Sequence, residues 1–349
     1  MDLRQRINMF AALGENLDYI LGNKDLESVI YSKLEDFLAV SQSNEWFTKN
    51  NILFALKSIA DNLTESKINN WLEKYPQLAG NKKIKRVGVV TAGNIPLVGF
   101  HDLLCVLLSG NELVIKASSK DNKLMKLIVD LLIELNSDFS KLIHFETERL
   151  KNFDAIIATG SDNTAKYFEY YFGKYPNIIR KNRNSIAILN GNETDEELEL
   201  LADDMLMYFG LGCRNVSKLF LPKGFDYQRI FKSVQAYHHL TDHNKYANNF
   251  LYNKSIYLMN NVVFWENGFI MMKEDSGLAS PISVIFFEYY SSIDEIKQRI
   301  DLDKDRIQCI VAKDGLIDGS VNYGEAQKPN LWDYADNVDT MKFLLSLKN

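Results

Sequence analysis

The sequence predicts an α/β protein in which a doubly wound, nucleotide-binding domain is joined to a second α/β domain. Three observations predict it. From Lys85 onward short β-branched runs alternate with amphipathic stretches; the alternation starts again near Asn184; and small-residue bends follow the strand-like runs, where such folds bind ligands. A length of 349 residues accommodates two such cores.

Taken in order, residues 1 to about 80 predict a helical cap, because Leu34, Phe37, Leu38 and later Leu53, Leu56, Ile59 and Leu63 recur at three- and four-residue spacing. Arg86–Thr91, Glu112–Lys116 and Asp154–Ala158 predict strands. Between the last two, Lys126, Asp130 and Glu134 repeat every four residues in Leu124–Leu135, leaving a broad apolar helix face to pack on a sheet. The second block predicts strands at Ser185–Leu189, Lys218–Leu221, Ser283–Phe287 and Ile307–Ala312. Its helices are expected at Asp195–Phe209, Phe225–Tyr237 and Ile293–Ile300. Met341–Leu345 reads as a last strand that would pair with another subunit. The expected organisation is a cap and dinucleotide-binding domain over 1–184, a thiol-bearing catalytic domain over 185–320, and a C-terminal return and interface segment over 321–349.

Composition excludes several classes. Hydrophobic residues at 46% and charged residues at 25% are ordinary for a folded chain. Forty basic against forty-six acidic residues leave a net charge of −6, so no field gathers nucleic acid. The N-terminal stretch carries charges throughout, and the apolar run Pro96–Leu108 is broken by His101 and Asp102 and falls short of the ~20 residues a bilayer needs. No membrane span and a cytoplasmic location are expected. Three cysteines without CxxC spacing fit neither a disulfide framework nor a zinc cluster, and His238, His239 and His243 lack metal-ligand spacing, so no metal is expected. Lys174, Arg180, Lys181 and Arg183 read as a solvated basic face.

Three places could carry chemistry. Thr91-Ala-Gly-Asn-Ile-Pro96 follows a strand and is expected to open a helix, with Pro96 in its first turn. There Asn94 either presents its carboxamide to the crevice or caps the helix. At Ala158-Thr-Gly-Ser161 a glycine admits close backbone approach and a helix N-terminus offers N–H groups to an anion. Cys213 follows Gly210-Leu-Gly212 and precedes Arg214, whose charge would favour the thiolate, whereas Cys105 and Cys309 sit in apolar runs. It reads as a nucleophile or as a core thiol.

From about residue 85 to the C-terminus these pieces resemble the aldehyde dehydrogenase superfamily, and more closely its bioluminescence-type acyl-CoA reductase (LuxC-like) branch. Asn94-Ile95-Pro96 matches the strand-helix bend of that superfamily, Lys116-Ala-Ser-Ser119 its adenosine-ribose motif K-P-S-E, Thr159-Gly160-Ser161 its phosphate-proximal T-G-S, and Gly212-Cys213 its nucleophile loop. Tyr323–Pro329 and Trp332–Thr340 are similar to the acyl-CoA reductase branch.

The resemblance implies an aldehyde dehydrogenase-like fold, an acyl-CoA or acyl-carrier substrate, a homo-oligomer, and reduction of a fatty acyl thioester to the aldehyde. Cys213 would form the acyl-enzyme, with its own N–H and the Asn94 side chain holding the oxyanion. Thr91, Lys116, Ser118, Ser119, Thr159, Gly160 and Ser161 would bind the dinucleotide. Ser119 stands where relatives have a ribose-binding carboxylate, which implies NADPH, with NADH as the alternative. Relatives carry a general-base Glu where this chain reads Lys181–Ser185, an absence that favours thioester reduction over aldehyde oxidation. The alternatives are reduction of another activated acyl group, an acyl phosphate or acyl-carrier thioester, or a catalytically idle nucleotide-binding scaffold.

Overall fold

Four helices precede the first strand in the computed structural model, which describes residues 1–23, 29–80, 83–313 and 315–347. They are α1 (Leu3–Gly22), α2 (Val29–Ala39), α3 (Lys49–Asn62) and α4 (Glu65–Leu72). The start of α1 follows from a capping box in which Asp2 accepts from the Gln5 N–H at 2.8 Å while the Gln5 side chain accepts from the Asp2 N–H at 2.9 Å. Phe10, Leu13, Leu17 and Ile20, at helical spacing, are buried on one face of it. Each such side chain contributes about 1.5–3 kcal/mol of apolar burial.

The chain divides into a unit of residues 1–181 with 330–349 and a unit of residues 182–329. In the first, β1 (Arg86–Val90), α5 (Phe100–Leu108), β2 (Glu112–Lys116), α6 (Asn122–Leu135), α7 (Phe139–Leu142), β3 (Ile143–Phe145), β4 (Ala155–Thr159), α8 (Asp162–Phe172) and β5 (Asn177–Arg180) alternate. The strands form a parallel sheet in the order β3-β2-β1-β4-β5. Helices on both faces leave these strands dry, which is why they read as continuous apolar runs. Strand order reverses between β1 and β4, and a crevice opens at such a switch point beyond the carboxyl ends of the strands.

The second unit contains β6 (Asn184–Ile188), α9 (Asp195–Leu206), β7 (Val216–Pro222), α10 (Gln228–Ser233), α11 (Asn244–Met259), β8 (Trp265–Glu266), β9 (Met271–Glu274), β10 (Val284–Tyr290), α12 (Ile293–Asp303) and β11 (Ile307–Ala312). Its sheet runs β11-β6-β7-β10-β9-β8, parallel except for the β8–β9 pair. Ile186, Ile188, Phe220, Tyr290 and Ile296 lie in one of its cores.

Three expectations are corrected here. The helix expected over Asp195–Phe209 ends at Leu206, because Tyr208, Phe209 and Gly210 follow with φ of 53°, 61° and 74°. The helix expected over Phe225–Tyr237 is the short α10 followed by a 3₁₀ stretch, Val234–Asp242. Met341–Leu345 is not a strand but part of α13 (Thr340–Ser346). Asp339 caps it by accepting from the Lys342 N–H at 2.8 Å, and Met341 and Leu344, three apart, are buried. A run of five apolar and polar residues satisfies both periods, and the cap decided. Among the described residues no helix is long and apolar enough to cross a membrane.

Candidate active site

At the carboxyl edge of the first sheet, register places the candidate nucleotide loops side by side. Val90 is paired with Lys116 on one flank and Ala158 on the other, so the chain leaves β1 at Thr91 between the segments beginning at Ala117 and Thr159. The seven residues Thr91, Lys116, Ser118, Ser119, Thr159, Gly160 and Ser161 thus share one edge of one sheet. Thr91 Oγ1 accepts from the Ser118 N–H at 3.2 Å, and a Cβ on Gly93 would lie 2.7 Å from the Ser118 Cβ, a contact only glycine avoids. The Lys116 ammonium donates to the Glu148 carbonyl. Ser119 is exposed and does not cap α6, whose N-cap is Asp121. Ser161 caps α8, accepting from the Thr164 N–H at 3.3 Å. A Cβ on Gly160 would lie 2.9 Å from the Thr164 Cβ, so the backbone there is kept bare.

The helix after β1 does not begin at Pro96. Leu97 adopts φ 57°, which breaks a helical path, and α5 begins only at Phe100 with Gly99 as its N-cap. Asn94, half-buried within this turn, is therefore not that helix's cap. The turn is fixed from beneath by Asp121, 1% exposed, whose Oδ2 accepts from the Leu97 N–H at 2.9 Å while Oδ1 has no hydrogen-bond partner among the described residues. Burial pushes this carboxyl up to about 8, against the opposing pull of the Leu97 N–H.

A pH dependence follows. The folded chain keeps a proton on Asp121 up to about pH 8, whereas the unfolded chain loses it near ~3.9, so folding takes up a proton between these values. The stability this confers is full below pH ~4 and is lost as pH rises through about 8. Asp121→Asn keeps an oxygen for Leu97 and cannot ionise. At pH 9 it is expected to be more stable than the wild type by about 1–3 kcal/mol, the usual cost of an under-satisfied buried polar group. The gap should narrow as pH falls and be smallest below pH ~4, where the carboxyl is protonated in both states. Thermal midpoints of both chains across this range check it, and parallel curves would refute it.

In the second unit Cys213 is the exposed cysteine of the three; Cys105 and Cys309 are buried, and burial pushes the Cys105 thiol well above its usual range. The backbone around Cys213 is held closely. Ser185 donates to the Cys213 carbonyl at 2.9 Å. Asn215 Oδ1 accepts from the Gly212 N–H at 2.8 Å, and its Nδ2 donates to the carbonyls of Asp204 at 3.1 Å and Met207 at 2.9 Å at the end of α9. Those carbonyls have no intrahelical donor, so one carboxamide satisfies the helix end and fixes the turn. The left-handed Tyr208 and Phe209 cost roughly 1–2 kcal/mol each in backbone sterics. The Phe209 ring packs against His243 at 4.3 Å between ring centroids, the two planes tilted by 36°.

Arg214, the neighbour of Cys213, has partners of its own. Its Nε donates to the Ala326 carbonyl at 2.5 Å and its Nη2 lies 3.5 Å from Cys309 Sγ. Of the expected basic face, Lys174 and Lys181 are exposed and Arg183 is half-buried, whereas Arg180 is not at the surface. Arg180 is buried against Asp102, Lys181 pairs with Glu169 at 2.9 Å, and Arg183 donates to the Ile307 carbonyl at 3.3 Å. The three histidines act locally: His243 Nδ1 accepts from the Tyr246 N–H at 3.2 Å, His239 lies 3.1 Å from the Ala236 carbonyl, and His238 meets Phe269 edge-on. Sequence reasoning did not single out Asp121, Asn215 and Asp204, each a buried polar residue whose partners are distant or backbone.

Tyr323–Pro329 and Trp332–Thr340 fall in different units. Tyr323 donates to the Ile188 carbonyl at 3.2 Å, whereas Tyr334 accepts from Trp71 Nε1 at 2.9 Å and His101 lies 2.8 Å from the Leu331 carbonyl.

A parallel sheet beside a mostly parallel one is the pattern of the aldehyde dehydrogenase fold. Aldehyde dehydrogenase 21 of Physcomitrella patens, solved with succinate, superposes with a TM-score of 0.67 over 98% of this chain and 84% of that one at 12% identity. An indole-3-acetaldehyde dehydrogenase complexed with NAD+ gives 0.61 over 92% and 73%, also at 12% identity. Within this fold the chain belongs to the acyl-CoA reductase (LuxC) family, whose model matches residues 7–228. A long-chain acyl-protein thioester reductase of Aliivibrio fischeri is 28% identical over 137 residues, 35% of this chain and 29% of that protein. The match thus spans less than a third of that relative.

Proposed function

We propose that the chain reduces a fatty acyl thioester to the aldehyde with NADPH through an acyl-enzyme on Cys213. The observation that carries the reading is the exposed Cys213 thiol on a turn fixed by Ser185 and Asn215, in a chain of the acyl-CoA reductase family. The Cys213 thiolate attacks the acyl carbon, the bond from that carbon to the donor's sulfur breaks, and the donor leaves as a thiolate that takes a proton from water. Asn94 keeps its proposed role as an oxyanion donor, along with the Cys213 N–H. When bound, a reduced nicotinamide supplies the hydride. Cys213 holds the resulting thiohemiacetal oxyanion until the oxygen re-forms the carbonyl and the carbon–sulfur bond breaks, which releases the aldehyde and restores the thiolate. Where relatives carry a water-activating Glu this chain has Lys181–Ser185, and the Ser185 hydroxyl is committed to the Cys213 carbonyl, so the stretch offers no base for hydrolysis.

The carboxyl edge of the first sheet fits a dinucleotide: backbone is bare at Gly160, the Lys116 ammonium and exposed Ser119 stand at one end, and the switch point lies between. Ser119→Glu is expected to move preference from NADPH toward NADH by about tenfold to a hundredfold in relative kcat/KM, because a carboxylate repels a 2′-phosphate. Since Ser119 caps no helix, stability should barely change. Steady-state kinetics with both nucleotides check this, and an unchanged ratio removes the case for NADPH.

A second reading, an acyl-carrier thioester as the donor, is favoured by the acyl-protein substrate in the name of the Aliivibrio fischeri relative. A panel of acyl-CoA thioesters of increasing length, with the matching acyl-carrier-protein thioesters, tests both by NADPH oxidation and aldehyde release. Turnover with the carrier series alone selects the second reading. Nucleotide binding without turnover of any thioester would leave a scaffold.

A further inference from the structure

We infer that Asp204 and the segment Tyr323–Gln327 form a clamp that sets the pose of the Cys213 loop, with Asp204 as a positioning residue for the thiol. The inference rests on Cys213 being the nucleophile.

Asp204 lies on α9, is fully buried, and its carboxylate accepts from the Gly324 N–H at 2.7 Å and the Ala326 N–H at 2.9 Å. Two backbone N–H groups on one carboxylate fix the segment in both position and tilt. The seating is close: Gly324 has φ +80°, and a Cβ there would lie 3.0 Å from the Leu200 side chain on the same helix. The conformation requires glycine, and the approach to Leu200 is tight for any side chain. Tyr323 adds bonds to the Ile188 carbonyl at 3.2 Å and to the buried Glu193 at 3.3 Å.

The clamped segment then reaches the thiol's neighbour, since the Ala326 carbonyl accepts from Arg214 Nε at 2.5 Å. The other end of Asp204 acts on the same loop, because its backbone carbonyl accepts from Asn215 Nδ2, and Asn215 holds the Gly212 N–H. Cys213 therefore sits between two residues that each trace back to Asp204, one through the side chain and Ala326, the other through the backbone. This gives Tyr323–Gln327, distant in sequence from the nucleophile, a direct mechanical link to it. A displacement of about 1 Å from an attack geometry costs up to about a hundredfold in rate.

Asp204→Asn leaves one acceptor for two N–H donors, and Arg214→Lys keeps the charge while losing the planar contact to Ala326. With dodecanoyl-CoA as acyl donor and no nucleotide, both variants are expected to acylate Cys213 at least tenfold more slowly than the wild type, read by quenched-flow mass spectrometry. Their iodoacetamide labelling of Cys213, which needs no aligned acyl group, should stay within about threefold, and NADPH affinity should not move. Acylation at the wild-type rate in both variants overturns the clamp. So does a slowed acylation matched by an equal loss of iodoacetamide labelling, which marks a merely structural role. If Asp204→Asn fails to fold, Arg214→Lys decides alone. A wild type that turns dodecanoyl-CoA over without acylating Cys213 fails the nucleophile reading itself, a result separate from the other two.

Discussion

Cys213→Ala is expected to lower aldehyde formation by at least about 10³ while leaving NADPH affinity within about twofold, because in the proposed reaction the sulfur makes the covalent bond and the loops proposed to hold the dinucleotide belong to the first unit. Folding should be indifferent to the change. The residue is exposed, its loop is held by Ser185 and Asn215 through backbone atoms, and surface truncations of this kind lie within about 0.5 kcal/mol. Cys105→Ala and Cys309→Ala invert the pattern, removing a buried sulfur from packing and sparing the reaction. Steady-state NADPH oxidation and nucleotide titration of the three variants check both halves, and substantial turnover by Cys213→Ala refutes the assignment.

Arg180→Ala is expected to destabilise the chain by about 3–5 kcal/mol, since it strands a buried carboxylate. Arg180 Nη1 and Nη2 donate to the two oxygens of Asp102 at 2.6 and 2.9 Å, and Nη2 also donates to Thr340 Oγ1 at 2.9 Å. Side-chain exposures of 6% and 7% leave no water to take over either charge. The fork thus joins the end of β5, helix α5 and the first residue of α13. Replacing both partners, Arg180→Met with Asp102→Leu, should recover most of the loss, because desolvation of two ions offsets much of their attraction. Urea unfolding of the single and double variants measures this, and a single-variant loss below about 1 kcal/mol would contradict it.

The parallel strands were legible because strands dry on both faces must be continuous apolar runs, as in Val87–Val89 and Ile156–Ala158. Candidate loops were legible at their glycines, Gly93 and Gly160, where close approach excludes a Cβ. Side-chain direction was not. Arg214 stands next to Cys213 in sequence, but its direction is set by Ala326, more than a hundred residues away. Leu97 gives no local sign of a left-handed conformation; the N–H bond to buried Asp121 holds it there, and this displaced the start of α5 from Pro96 to Phe100. Met341–Leu345 failed for a simpler reason, since five residues fit two periods and the Asp339 cap carries the distinction. The buried carboxylates Asp121 and Asp204, pushed up to about 8 and about 7 by burial, were unreadable because burial is a property of the fold.

The central claim is a covalent acyl group on Cys213, and trapping it is the direct measurement. The wild-type chain is mixed with dodecanoyl-CoA in the absence of nucleotide, quenched in acid, digested and mapped by mass spectrometry, with a second sample chased by NADPH before quenching. One dodecanoyl group on the peptide carrying Cys213, discharged as dodecanal by the chase, is the predicted result. Aldehyde formed in the chase without prior acylation of Cys213, or with the acyl group on another residue, would contradict the account.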